Sequence, residues 1–250
     1  ATLGVIMPAL ATMMPELGQY KAGIKMGLFA PQSDQVQTTH SRAMMRIGSE
    51  NASLIMADPE IAVSLTSEAR LSLSNGSYLK GQVASKQSKI ESKTYDLIFA
   101  EECQDLDDYL LQKSIEPMTS ATNGTIVKVG TTGTQKNNFW FEIQENKRID
   151  RQNKDPRLKV HFEYDYKDII QYKRKKFEED GDRFHLNYEK DVLRKRQRWG
   201  EGSDAFRLGY ALIWALDSGM FITDKDWDRI VDKRRGFPKN QNPKDTIVAG

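Results

Sequence analysis

Two adjacent carboxylates, Glu101 and Glu102, stand directly behind the apolar run Leu97-Ile98-Phe99-Ala100 of this 250-residue chain. The run Tyr95–Ala100 predicts a strand buried on both faces of a parallel sheet. Acids at its carboxyl end stand where open α/β sheets bind ligands. Neighbouring acids repel unless a cation joins them. In a nucleotide hydrolase, the first acid of such a pair holds magnesium, a hard cation that keeps much of its water shell. The second orients or deprotonates the water that attacks the γ-phosphate. The plainer structural role of two glutamates after a strand is to cap the next helix, and the motif by itself leaves both open.

A second polar cluster, Thr131-Thr132-Gly133-Thr134, follows Gly124–Gly130, which predicts another buried strand. Its hydroxyls can donate to or accept from a phosphate, or simply form a turn. The densest basic run holds Arg194, Lys195, Arg196 and Arg198 beside Trp199. Such a run suits sequence-independent contacts to nucleic-acid phosphates. Glu189, Asp191 and Glu201 flank it, as they would on the charged outer face of a helix. His40, His161 and His185 lack ligand spacing and read as satisfied structural histidines. Cys103 has no histidine near it and reads as a small core residue.

The elements that must position these groups follow from composition and periodicity. A hydrophobic content of 38% supports a sizeable core, and 37 Lys+Arg against 35 Asp+Glu give no global electrostatic case for a nucleic-acid partner. One cysteine forms no internal disulfide or thiolate zinc site and favours a reducing compartment. The longest apolar run, Leu3–Met14, is broken by Pro8 and is about half of a membrane span. It reads as a helix cut from a longer chain, and Thr246–Gly250 reads as a strand cut short, so the expectation is an internal fragment.

Strands are predicted over Lys25–Ala30, Ile61–Leu65, Ala69–Leu73, Tyr78–Val83 and Leu158–Phe162, with Ser74-Asn75-Gly76-Ser77 as a hairpin turn. A helix capped at Ser33-Asp34 would present Val36, His40, Ala43, Met44 and Ile47 on one face. Further helices are predicted over Asp105–Lys113, Lys167–Glu179, Tyr188–Trp199 and Asp204–Leu216, the last packing Phe206, Tyr210, Ile213 and Trp214 inward. Gly236–Lys244 reads as a linker. The fold class is α/β: a mainly parallel sheet flanked by helices, with a small helical subdomain.

Asp96-Leu-Ile-Phe-Ala-Glu-Glu-Cys-Gln-Asp105 resembles the Walker B segment of the tailed-phage terminase large subunit, and Thr122–Gly133 resembles that family's coupling motif. Ser74–Ser77, Ala84–Asp96, Ser203–Tyr210 and Gly219–Ile222 match in the family's order, so the resemblance spans nearly the whole chain. It implies a P-loop NTPase core of the additional-strand, catalytic-glutamate, RecA-like type. Residues 1–163 would be the ATPase core, 164–222 a helical lid or linker subdomain, and 223–250 a linker ending at the first strand of a nuclease domain.

The function the resemblance implies is an ATP-driven motor that packages double-stranded viral DNA. ATP and magnesium would be its cofactors, the portal protein and the small terminase subunit its partners. It would work as a homo-oligomeric ring on the procapsid in the host cytoplasm, with no membrane. Glu101 would take the magnesium position through water, although many relatives have aspartate there, and Glu102 the catalytic position. Thr131, Thr132 and Gly133 would form the coupling motif. Where relatives carry a trans-acting arginine, this chain has Lys86, Lys89 and Lys93, with Lys89 the choice among them. Arg194, Lys195, Arg196 and Arg198 would touch DNA.

No G-x-x-x-x-G-K-[ST] run occurs in the 250 residues, and the family places that phosphate-binding loop upstream. The fragment alone is therefore expected to be inert, while its intact parent is an ATPase. Two other readings stay open: a docking module for DNA, portal or small subunit without chemistry of its own, and another nucleic-acid translocase such as a helicase.

Overall fold

In the computed structural model, residues 3–67, 69–85, 90, 93–153 and 155–216 are described. Among them six strands form one sheet: β1 (Lys25–Ala30), β2 (Val63–Ser67), β3 (Arg70–Leu73), β4 (Tyr78–Val83), β5 (Leu97–Ala100) and β6 (Thr125–Lys128). Their spatial order is β2-β3-β4-β1-β5-β6. β1 runs parallel to both β4 and β5, and β5 parallel to β6, while β2 and β3 complete an antiparallel extension. The register sets Phe29 beside Ala100 and Ala100 beside Lys128, so β1, β5 and β6 end together.

The most apolar strands take the centre. Met26, Leu28, Phe29 and Ala30 of β1 and Ile98, Phe99 and Ala100 of β5 are almost wholly buried, as expected of strands covered on both faces. α1 (Leu3–Met13) and α2 (Ser33–Ile47) cover one face, through Leu3, Met7, Val36 and Ala43. On the other face Phe29, Tyr95 and Ile98 pack against Leu111, Ile115 and Phe139. Behind the hairpin turn, Gly76 has φ +85°, and Gly23 approaches so closely that a Cβ on it would lie 2.1 Å from the Gly76 carbonyl carbon.

α3 (Ser53–Met56) is short, and α4 (Asp108–Leu110) continues into a π-helical turn, Leu111–Ile115. α5 (Asn138–Gln152) is capped by Asn137, whose side chain accepts from the Trp140 amide. The helical region holds α6 (Tyr166–Asp180), α7 (Leu186–Trp199) and α8 (Asp204–Gly209) around Tyr166, Val192 and Phe206. Asp165 and Asp168 form a capping box on α6, and Gly181 ends it with φ +73°. No helix of the described residues is long and apolar enough to cross a membrane.

Several expectations are corrected. Among the described residues β6 stands at the edge of the sheet with Thr125 and Val127 exposed, not as the buried strand expected. Leu158–Phe162 is no strand: the Asp150 carboxylate takes the Val160 and His161 amides, which a neighbouring strand would otherwise bond. α2 is capped by Gln32 in a capping box with Gln35, not by Ser33-Asp34. The helix expected from Asp105 starts only at Asp108, where Asp107 accepts from the Leu110 amide. α8 stops at Gly209; Leu212 has φ +51°, and the Ile213 amide folds back to the Arg207 carbonyl. Lys86, Lys89, Gly219–Ile222, the Gly236–Lys244 linker and Thr246–Gly250 lie outside the described residues.

Candidate active site

The carboxyl end of β5 lies between β1 and β6. The Glu101 amide donates to the Phe29 carbonyl at 2.8 Å, which extends the ladder one residue past the strand. Glu102 then turns the chain with φ 54° and ψ 47°. A left-handed conformation costs a non-glycine residue about 1–2 kcal/mol. Cys103 holds the turn on its far side, donating its amide to the Val129 carbonyl at 3.0 Å, while the Asp105 amide bonds the Glu102 carbonyl at 2.9 Å.

Each glutamate is fixed by a neutral donor. The hydroxyl of Thr39, reaching from α2, donates to Glu101 Oε2 at 2.8 Å. Thr39 is buried, so the bond forms against the core rather than in water. Gln104 Nε2 donates to Glu102 Oε2 at 2.6 Å. No cation pairs with either glutamate among the described residues.

Gln104 also joins the acids to the loop after β6, for its Oε1 accepts from the Thr131 amide at 3.0 Å. Beyond it, Thr132 Oγ1 donates to the Leu208 carbonyl at 3.2 Å, and the Ala215 amide donates to the Gly133 carbonyl at 3.2 Å. The sequence-selected residues Glu101, Glu102, Thr131, Thr132 and Gly133 are therefore one neighbourhood, bounded on one side by the helical region. An open groove of 630 Å³, lined by Pro31, Ser85, Gln104, Asp107, Tyr109 and Gln135 among others, runs along the carboxyl ends of β1, β4 and β5.

The basic run is elsewhere. Arg194 and Lys195 both pair with Asp191, at 2.6 and 2.7 Å, and Arg196 pairs with Glu201 at 2.5 Å. Lys195 also donates to the Tyr210 hydroxyl. Arg198 forms no ion pair among the described residues. Cys103 is buried, and burial pushes its thiol up to about 12, which fits a core residue and not a nucleophile. His161 and His185 face Glu163 and Asp180. His40 differs from expectation, for its Nε2 is buried without a partner among the described residues, and so is Nδ1 of His185.

Sequence reasoning missed Thr39 and Gln104. Thr39 lies three residues after Val36 on the helix face that was read for its apolar members, and that spacing was the available signal. Gln104 stood inside the recognised segment, but its partners come from another strand's loop.

The described residues contain no cluster of three His, Cys, Asp or Glu side chains that would cage a metal. Glu101, Glu102 and the Thr39 hydroxyl are nonetheless all oxygen donors, and so few of them fit a magnesium ion held chiefly by water and phosphate oxygens.

No protein-family model matches the sequence, and no curated protein matches it. Among the solved structures similar to it are two of the large terminase ATPase domain of Thermus phage P74-26. One, a point mutant, is 17% identical with a TM-score of 0.52; the other is 16% identical with a TM-score of 0.51. In both, the alignment covers 80% of this chain and 80% of the other. The α/β sheet flanked by helices is thus similar in fold to these large terminase ATPase domains.

Proposed function

We propose that this chain is part of an ATP-hydrolysing motor that moves double-stranded viral DNA into a procapsid. The observation that carries the reading is the pair Glu101 and Glu102 at the end of β5, held by Thr39 and Gln104 beside the Thr131–Gly133 loop. Glu101 and Thr39 would hold magnesium through its water shell, and the ion would neutralise charge on the phosphates. Glu102 accepts a proton from, or orients, the attacking water. The Thr131–Gly133 loop, bonded to residues 208–215, passes a change at the nucleotide to the helical region.

The remaining assignments belong to the same proposal. Residues 1–163 form the ATPase core, 164–222 a lid or linker, and 223–250 lead to a nuclease domain. Subunits assemble as a ring with the portal protein and the small terminase subunit in the host cytoplasm, and Lys89 reaches a neighbour's site. Arg194, Lys195, Arg196 and Arg198 approach DNA phosphates. Residues 1–250 contain no phosphate-cradling glycine-lysine loop, so turnover is assigned to the full-length protein.

The test is steady-state ATP hydrolysis by the full-length protein with Glu102→Gln. Turnover should fall by about 10²–10⁴, the usual contribution of a positioned base, while ATP binding changes little. Unchanged turnover removes the catalytic assignment and favours a docking module without chemistry.

A further inference from the structure

We propose that Gln104 is the positioning residue that sets where the Glu102 carboxylate stands, by tying it to the amide of Thr131; this rests on the catalytic assignment of Glu102. The Gln104 side chain uses both ends of its amide. Nε2 donates to Glu102 Oε2 at 2.6 Å and to Asp105 Oδ2 at 3.1 Å, and Oε1 accepts from the Thr131 amide at 3.0 Å. Chemistry fixes this orientation, because ionised carboxylates only accept and a backbone N–H only donates. A flipped amide would face oxygen with oxygen and N–H with N–H.

The surroundings are cut to admit this side chain. A Cβ on Gly130 would lie 2.3 Å from Gln104 Oε1, so any other residue there displaces the amide. Asn137 Nδ2 donates to the Gln104 carbonyl at 3.0 Å, which anchors its backbone to the α5 cap. On the far side of the loop, Thr132 and Gly133 bond to residues 208–215. A displacement of the helical region therefore reaches the Glu102 carboxylate through the loop backbone and one amide side chain. Glu102 sits in a left-handed turn, and Gln104 is the side chain that restrains its carboxylate.

The experiment measures ATP turnover by the full-length protein carrying Gln104→Ala or Gln104→Glu, beside Glu102→Gln. Gln104→Ala should lower kcat about tenfold or more and leave KM for ATP within about twofold, the pattern of a group that acts on the chemical step. Gln104→Glu supplies the signature that a purely structural role lacks. Ionised, it repels Glu102 and Asp105; protonated, it regains a donor toward Glu102 and an acceptor for Thr131. Its rate relative to wild type should therefore rise as pH falls from about 8 to about 6.

Gln104→Ala with kcat within about twofold of wild type, while Glu102→Gln is inactive, overturns the inference and leaves the catalytic assignment standing. Glu102→Gln with unchanged turnover overturns both. If Gln104→Ala does not fold, the Gln104→Glu titration decides, and a ratio to wild type that is flat with pH overturns the inference.

Discussion

Charge is handled in opposite ways at the end of β5 and along α7. On α7, Arg194, Lys195 and Arg196 each have an acidic partner three to five residues away. Hydrogen bonds from Lys195 and then Arg194 hold the Asp191 carboxyl below its ordinary range, and Arg196 does the same to Glu201. At β5, Glu101 and Glu102 are held by a hydroxyl and an amide, neutral donors that fix position without cancelling charge. The denser charge run is thus the more nearly neutral region, while the sparser pair faces only neutral donors among the described residues. Density of charged residues in a sequence marks a surface; charge fixed by neutral donors marks a place for chemistry.

The largest effect that would break this comparison is in turnover. Glu102→Gln should cost about 10²–10⁴ in ATP hydrolysis, whereas Arg196→Ala, which removes an exposed pair with Glu201 and any DNA contact but no group at the acids, should leave DNA-free turnover within about twofold. Equal losses in an ATPase assay would mean that both regions touch the reacting groups.

Next in size is the support that the helical region gives to the loop. Phe206 is fully buried among Tyr166, Val192 and Tyr210, edge-to-face with the first ring at 5.2 Å and stacked on Tyr210 at 5.3 Å. Phe206→Ala should destabilise by about 3–5 kcal/mol, measured by denaturant unfolding. Because residues 208–215 bond Thr132 and Gly133, the variant should also lower turnover. A large stability loss with normal turnover would separate the two regions.

Legibility in the sequence follows the same divide. β1, β5, the Gly76 turn and helices α6 and α7 were readable because each is written in its own local pattern: continuous apolar runs, a turn dipeptide, helical spacing. α5 was not, since its apolar residues bunch at Phe139-Trp140-Phe141 and Ile143 ahead of a charged stretch and mark no single face along the helix, with Phe139 its sole buried residue among the described ones. Leu158–Phe162 has the alternation of a strand, but its amides are taken by Asp150, a competitor ten residues away that no period-2 rule weighs. Glu101 and Glu102 were legible as residue types. Thr39 and Gln104, which fix them, were not, because a side chain's partners come from the fold and not from its neighbours in sequence.

A smaller effect concerns the neighbour of Thr39 on α2. Thr39 turns its hydroxyl to Glu101, while His40 beside it buries an Nε2 with no partner among the described residues. Burial lowers the His40 pKa below its ordinary 6.5, against a weaker upward pull from the Arg70 backbone. The folded protein then resists a proton that the unfolded chain accepts, so this group's contribution is intact above pH 6.5 and lost as pH falls through the lowered value. Thermal unfolding between about pH 7 and pH 5 should show wild type losing stability more steeply than His40→Gln. Parallel curves would mean that the imidazole finds a partner.

The smallest effect sharpens the comparison within the basic run itself. If α7 approaches DNA as proposed, a phosphate must compete with Asp191 for Arg194 and Lys195 and with Glu201 for Arg196. Arg198 has no such competitor among the described residues, so its contact releases a counterion without first breaking an ion pair. Arg198→Ala should reduce the slope of log affinity against log salt by about one and weaken binding equally for any sequence. Arg194→Ala should change the slope less. The measurement is binding of the full-length protein to a DNA duplex over a salt series. If Arg194 and Arg198 lower the slope equally, the Asp191 pair opens on binding and the local neutrality of α7 is a property of the free protein alone. If neither changes it, DNA is held elsewhere, and the ion pairs of α7 serve to keep the helical region folded against the loop that Gln104 reads.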